Sequence, residues 1–253
     1  MPSFILASSS PRRRELLGSL GIPFTIIKPD IDETQRPGEP PLEYVARLSR
    51  EKAHAVASYE SPVASEEIPP SESGDVGTQR AVSDGFGEEM KIVLAADTVV
   101  ILGADTLGVD EHGDILGKPL DADDARDMLR RLRGRVHQVC TAMTLRVGDV
   151  GARHVVPLPE SSSMTRIATT HVTMRDYTDA EIDAYVATGD PFDKAGSYAI
   201  QHPVFKPVAK IDGCYTNVVG LPVCTLKNML AEIGWPEIQP VESCDCPTNR
   251  PGE

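Results

Sequence analysis

The chain has 253 residues, 40% of them hydrophobic, and its 38 acidic against 25 basic side chains give a formal net charge of −13. That balance suits a folded globular protein of one large domain or two small ones. It argues against a nucleic acid polymer as partner, because such binding rests on Lys and Arg neutralising phosphates, and any phosphate ligand must therefore meet a local basic pocket.

In chain order, Phe4–Ala7 is expected to be a short strand. Ser10 stands at an N-cap position before Pro11, the first residue of a helix with Leu16, Leu17 and Leu20 inward and Gly21 as its stop. A second helix is expected from Leu42 to Ala57, with Val45, Leu48 and Val56 on one stripe. The following stretch is rich in Ser, Pro, Gly and Glu and has no apolar period, so residues 60–90 read as an acidic, disordered insertion. A buried strand is expected from Ile92 to Leu102. Asp121 then caps a helix carrying Met128, Leu129 and Leu132, whose acidic first turn and arginine-rich last turn match the helix dipole, and Gly134 ends it.

Val136 to Val147 alternates as a strand, with Val139, Thr141, Met143, Leu145 and Val147 on one face, and Arg166–Met174 is a further strand of weaker pattern. Pro157–Met164 reads as a surface loop. Thr178 and Glu181 form a capping box for a helix through Val186. Extended segments are expected between Gly196 and Ile211. A last helix opens at Pro222, runs through Leu226, Met229, Leu230 and Ile233, and closes at Gly234. This order predicts an α/β fold, a mixed twisted sheet with flanking helices, as a single domain over residues 1–235 with a flexible tail over 236–253.

The short apolar start is followed by arginines, the reverse of a secretory signal, and the longest apolar run, Ile92–Leu102, is broken by Asp97 and Thr98. It falls short of the ~20 residues a membrane span needs, so no membrane partner and a cytoplasmic location are expected. The five cysteines are odd in number and lack paired CxxC spacing, which predicts reduced thiols and no zinc site. Cys244 and Cys246 lie in the expected tail, where a metal-binding CxC and a plain flexible segment are both open readings.

Ser8-Ser9-Ser10-Pro11-Arg12-Arg13 joins a strand end to a helix start, where free backbone N–H groups and forked arginine donors suit a phosphate. The same residues also suit a capped surface helix with solvated arginines. Asp97 interrupts an apolar strand, so its carboxylate needs a cation, a metal or several donors. Lys52 lies four residues from both Leu48 and Val56 on the buried face of its helix and needs an anionic partner, unless its tip snorkels to water. Asp30-Ile31-Asp32-Glu33 offers hard oxygens of the kind Mg²⁺ or Mn²⁺ accepts. Gly117-Lys118-Pro119, taken alone, reads first as a turn with a solvent lysine, and the Gly189–Gly196 segment as a helix stop with a surface loop. No Ser/His/Asp order and no histidine metal spacing stands out.

Taken together, ILASSSPRRRELL, DIDE, YVARLSREKA, AADTVV, GKP, YVATGDPFDKAGSYAIQ and NVVGLPV strongly resemble the Maf family of nucleoside triphosphate pyrophosphatases, over about Phe4 to Ile233 excluding the insertion. The leading Ser-Pro-Arg-Arg and the Ala-Ile-Gln ending resemble the branch acting on dTTP and UTP. The resemblance implies a two-lobed, ITPase-like fold with a central cleft, a homodimer, and metal-dependent hydrolysis of a nucleoside triphosphate to its monophosphate and pyrophosphate. It matches Arg12, Thr98 and Gln201 to positions that choose the base and Asp97 to the general base. Glu33 would share a Mg or Mn ion with Asp97. Arg13, Lys52 and Lys118 would hold the triphosphate, with Ser8 and Lys194 completing the substrate site.

Two departures from the family pattern bear on the base pocket: Thr141-Ala142 stands where Thr-Gly is usual, and His202-Pro203 stands where a Gly-rich turn is usual. A nucleotide-sensing or division-regulating binding protein and an ITPase-like purine enzyme are the rival readings.

Overall fold

The computed structural model describes residues 3–57, 90–102, 114–149 and 163–235. The expected insertion, from residue 60 up to the strand that starts at Met90, and the expected tail lie outside the described residues, as do residues 157–162 of the expected second loop.

Strand β1 (Ser3–Ala7) leads through α1 (Pro11–Gly18) to a two-residue β2 (Thr25–Ile26), and α2 (Pro41–Ala57) precedes β3 (Met90–Leu102). Next come β4 (Asp114–Leu116), α3 (Ala122–Leu132), β5 (Val136–Asp149), β6 (Ser163–Met174) and α4 (Asp179–Val186). Two 3₁₀ turns, Asp190–Asp193 and Ala195–Ser197, lead to β7 (Val208–Asp212), α5 (Tyr215–Val219) and α6 (Val223–Glu232). The strands form one mixed sheet in the order β2-β1-β3-β5-β6-β7, with β4 added beside β3. β1 runs parallel to β2 and β3, and the other pairings are antiparallel.

The two-residue alternation of β1 decides where the helices go. Phe4 and Leu6 pack with Leu17 and Leu20 and with Leu226, Met229 and Leu230 of α6, whereas Ile5 and Ala7 pack with Ala53 and Val56 of α2. α1 and α6 thus cover one face of the sheet and α2 the other, so the chain turns to opposite sides of β1, a switch point of the kind that leaves a crevice beyond the strand's carboxyl end.

β1 pairs with β3 only as far as Ala7 opposite Ala95, while β3 continues to Leu102 beside β5. On the face shared with α1, Ala96 and Met143 close one core, and Val100 and Val139 open a second built from α3, α4, Tyr177, Tyr198 and Phe205. Thr98 and Thr141 lie between the two. Two cores on one face, parted by a polar step, make the two lobes and the gap between them. Leu129, Leu132 and Ile182 are fully buried in the second core, each contributing roughly 1.5–3 kcal/mol by burial.

Several expected boundaries shift. α1 ends at Gly18, with the Ser19 N–H bonded to the Glu15 carbonyl, and Gly21 (φ 69°) shapes the turn that follows. Ser10 occupies the N-cap position without a side-chain capping bond, and Leu16 is only half-buried. Ser163 and Met164 belong to β6, paired with Arg146 and Leu145, rather than to a loop. Between Gly196 and Ile211 only the part from Val208 is strand, because Gly196 (φ 71°), Ser197 (φ 60°) and Lys206 (φ 42°) take left-handed conformations that break an extended run. β2, β4 and α5 span too few residues to show a period. No described helix is long and apolar enough to cross a membrane.

The α3 cap is as expected: Asp121 Oδ1 accepts from the backbone N–H groups of Asp123 and Asp124, both at 2.9 Å. Asp121→Ala is expected to lower stability by about 1 kcal/mol. Urea unfolding would show this as a lower midpoint at unchanged slope.

Candidate active site

Ser8, Arg12, Arg13, Glu33, Lys52, Asp97, Thr98, Lys118, Lys194 and Gln201 line one cleft of ≈ 520 Å³ between the lobes. Arg12, Arg13, Lys28, Lys52, Lys118 and Lys194 face it against only Glu33, Asp97 and Asp193, so the cleft is locally basic within an acidic chain.

The floor of the cleft is the loop after β1 and the stretch of β3 beyond it. Ser8 Oγ accepts from the Ser10 N–H at 3.2 Å, which curls the loop before α1. Arg13 donates from Nε to the Gly220 carbonyl (2.9 Å), from Nη1 to the Ala96 carbonyl (2.8 Å) and from Nη2 to Thr98 Oγ1 (3.0 Å). Burial pushes its pKa down, opposed by the charge of Asp97. Arg13 lines the cleft as expected, yet most of its donors tie α1 to β3 and to the turn after α5. Thr98 in turn meets Thr141 Oγ1 at 2.9 Å, the polar step between the cores.

Lys52 is 6% exposed, and its ammonium contacts Asp97 Oδ1 at 2.6 Å and Glu33 Oε1 at 2.9 Å. The buried-face lysine and the strand-interrupting aspartate therefore resolve each other, and Glu33 joins them from the loop between β2 and α2. Asp97 Oδ2 has no protein partner among the described residues. Asp30 and Asp32 stay out of the cleft lining, and Asp32 Oδ1 instead accepts from the Thr34 N–H at 2.9 Å. Among the described residues no group of three or more His, Cys, Asp or Glu side chains converges. Two carboxylates fit Mg²⁺ or Mn²⁺, which take one or two protein carboxylates and fill their other positions with water and substrate phosphate oxygens.

On the far wall, Lys194 is buried and contacts Asp190 Oδ1 (3.0 Å) and Asp193 Oδ1 (2.6 Å), while Asp193 Oδ2 receives Arg12 Nη1 across the cleft at 3.1 Å. Burial pushes the Asp193 pKa up, but the Lys194 bond and the Arg12 charge outweigh it and hold the group below the usual carboxylate range. Lys118 is exposed on the rim, in a segment fixed by a bond from the Gly196 N–H to the Gly117 carbonyl at 3.0 Å.

Gln201 is exposed at the cleft edge beside His202, whose Nδ1 accepts from the Phe205 N–H at 3.0 Å and whose ring lies edge-on to Tyr185. His202-Pro203 thus builds its own turn in place of a Gly-rich one. The other departure, Ala142, packs with Val45 and Ala46 of α2 and leaves the Thr141 contact intact. Behind the cleft, Tyr198 OH meets His137 Nε2 at 2.8 Å, and burial pushes His137 down to about 3, so it is neutral at pH 7.

The model of the family described as Maf-like protein matches residues 3–233, from β1 through α6. The chain belongs to the Maf-like protein family. It is 41% identical over 235 residues to a protein of Anaeromyxobacter dehalogenans named dTTP/UTP pyrophosphatase, covering 93% of this chain and 96% of that one. A protein of the same name from Pseudoalteromonas atlantica is 41% identical over 229 residues, covering 90% and 96%, and one from Myxococcus xanthus is 40% identical over 232 residues, covering 92% and 93%.

The Maf-like cleft is also lined by Asp193 and Tyr44, and backed by Arg47 behind Tyr44, none of which the sequence marks with a role. Asp193 sits inside a quoted motif, but its bond to Arg12 spans 181 positions and has no local signal. Arg47 and Tyr44 lie within YVARLSREKA. Arg47 pairs with Glu39 through Nε (2.6 Å) and Nη2 (2.9 Å), and Tyr44 OH donates to the Glu33 carbonyl at 2.8 Å. Burial, then the charges of Asp97 and Glu33, push the Tyr44 phenol up, so it remains a donor.

The Arg47 bond holds the Glu39 carboxyl down at about 2, from an ordinary 4.5. A depressed carboxylate contributes stability that is fully present above its unfolded-state value and is lost as pH falls through the folded one. The melting-temperature gap between the parent and Glu39→Gln should therefore be widest above pH ~5 and close as pH falls from 4.5 toward 2. A gap that stays constant across that range in thermal melts would refute the assignment.

Proposed function

We propose that this protein hydrolyses nucleoside triphosphates, with dTTP and UTP preferred, to the monophosphate and pyrophosphate. The observation that carries the reading is the Lys52-bridged pair of Glu33 and Asp97 in a basic cleft at the end of β1. The shared name of the relatives supports the reaction and the choice of nucleotide. We read residues 1–235 as one catalytic domain.

In this mechanism a water attacks the α-phosphorus. The new bond joins the water oxygen to that phosphorus, the bond to the bridging oxygen of the β-phosphate breaks, and pyrophosphate leaves with the electron pair. Asp97 takes the water's proton at Oδ2, while Oδ1 stays fixed on Lys52. Glu33 and Asp97 are the residues that would hold Mg²⁺ or Mn²⁺, whose charge neutralises the oxyanions of the reacting phosphates. Lys118 on one rim and Lys194 on the other reach the triphosphate, to which the helix start after Ser8 offers backbone N–H groups, while Arg12 and Thr98 join Gln201 in choosing the base. Arg13 keeps the floor in place by fixing Thr98 and the Ala96 carbonyl.

Gln201 reads the base edge. A glutamine amide carries a donor and an acceptor, which match O4 and N3–H of thymine or uracil, whereas cytosine presents the opposite order. Because the amide can turn over, this gives a preference rather than exclusion.

A panel of dTTP, UTP, dCTP, ATP, GTP and ITP, assayed for pyrophosphate release with Mn²⁺ and again in excess EDTA, tests the reading. Faster turnover of dTTP and UTP, abolished by EDTA, is expected. Equal rates on all six nucleotides would overturn the base assignment, and full turnover in EDTA would overturn the metal. Asp97→Asn should lower kcat by roughly 10²-fold or more, the scale of lost general-base assistance. A thermal melt of the same preparation separates this from a folding defect; near-normal kcat in a well-folded Asp97→Asn protein would remove Asp97 from the chemistry.

A further inference from the structure

Glu33 reaches the cleft from a segment, residues 27–40, that has no helix or strand of its own. Its side chain is 59% exposed and its one polar side-chain contact among the described residues is Lys52. The position of this carboxylate is therefore set by the path of the segment's backbone, and that path is fixed from α2.

Tyr44 OH takes the Glu33 carbonyl at 2.8 Å, and Arg47 Nη2 takes the next one, Thr34, at 3.0 Å. Arg47 lies over the Tyr44 ring at 5.6 Å, so the two groups act as one support. The same guanidinium forks onto Glu39 with both side chains about nine-tenths buried, at 10% and 9% exposure. Glu39 in turn closes the turn before α2: its Oε2 accepts from the Arg36 N–H (3.0 Å) and its carbonyl from Gln35 Nε2 (2.8 Å). Arg47 Nη1 completes the set on Glu51 at 3.0 Å. One buried arginine thus holds the residue after Glu33 and the end of the segment together. Lys52, which receives the Glu33 carboxylate, stands on the same helix.

We propose that Arg47, through Glu39 and the Thr34 carbonyl, is a positioning residue for Glu33 and sets the affinity of the cleft for its divalent cation. The proposal rests on the reading of Glu33 as a metal-holding residue. A planar fork is required, since an ammonium at this place can satisfy neither the paired Glu39 oxygens nor the Thr34 carbonyl in the same geometry. Side chains that orient a metal-holding group commonly change metal affinity by 10–100-fold when replaced.

The test uses the full chain carrying Glu39→Gln, Arg47→Lys or Tyr44→Phe, with Glu33→Gln as reference. Mn²⁺ binding is read from the electron paramagnetic resonance of the free ion, in the presence of an α,β-imido analogue of dUTP. Hydrogen exchange of the amides of residues 33–39 is read without metal. Glu39→Gln and Arg47→Lys should weaken Mn²⁺ by about tenfold and speed exchange in the segment, and Tyr44→Phe should do both to a smaller extent. At saturating Mn²⁺, kcat of Glu39→Gln and Arg47→Lys, neither of which lines the cleft, should stay within about twofold of the parent, because the reacting groups are untouched. Unchanged Mn²⁺ affinity in folded Glu39→Gln, beside a weakened Glu33→Gln, would overturn the positioning role alone. Unchanged affinity in Glu33→Gln would instead overturn the underlying metal assignment and the proposal with it. Should the two ion-pair variants fail to fold, Tyr44→Phe, which removes one hydroxyl, decides by the same criteria.

Discussion

An ammonium group buried on the inner face of a helix must find anions, because a charge taken out of water without a partner costs several kcal/mol. Lys52 meets that demand with Asp97 from the sheet and Glu33 from an irregular segment, so one cation draws three separate parts of the chain to a point. The apolar stripe of α2 fixes where that point lies. Val45, Leu48, Ala53 and Val56 are buried against the sheet, and Lys52, itself buried, shares their face and lines the cleft beside the two carboxylates.

The cleft exists because β3 is longer than its neighbour. Past Ala95 it has no β1 beside it, and of the side chains that follow, Asp97 and Thr98 are only partly buried and line the cleft, while Ala96 and Val100 stay in the two cores. Arg13 spans this gap from α1 to Ala96, Thr98 and Gly220, and Gly220 (φ 127°) adopts a backbone conformation that other residues avoid. The two lobes are joined on the floor by these bonds and across the mouth by the exposed pair of Arg12 and Asp193. That outer pair is worth little to stability in water, so it does not prevent substrate from entering between the lobes.

Electrostatics act on two length scales. A chain of net charge −13 repels a triphosphate at long range, but at physiological ionic strength that repulsion fades over ~8 Å. Inside the cleft the six basic side chains outnumber the acidic ones, and the local field there favours a polyanion. Arg12, Lys52 and Lys194 are nevertheless already paired with carboxylates, which leaves them only part of their charge to offer a substrate. This is a physical reason for a triphosphate to arrive with a divalent cation that offsets some of its own charge.

The sequence by itself determined the order of the long elements, because the period of Val45, Leu48 and Val56, the alternation from Val139 to Val147, and the caps at Asp121 and Thr178 are local signals that tertiary packing had no reason to override. It also narrowed the surroundings of Asp97 to a cation, a metal or several donors, and those of Lys52 to an anionic partner or a tip that snorkels to water, since each sits in an apolar pattern. Only the tertiary structure decided that they are each other's partners, that Glu33 alone of the Asp30–Glu33 carboxylates reaches them, and that Asp193 faces Arg12. It also decided that the segment after Gly196 turns instead of extending, through left-handed residues such as Ser197 and Lys206 that composition does not mark. Local periodicity records which face of an element is apolar; the meeting of charges 45 or 181 positions apart depends on how the faces pack, which no short window of sequence contains.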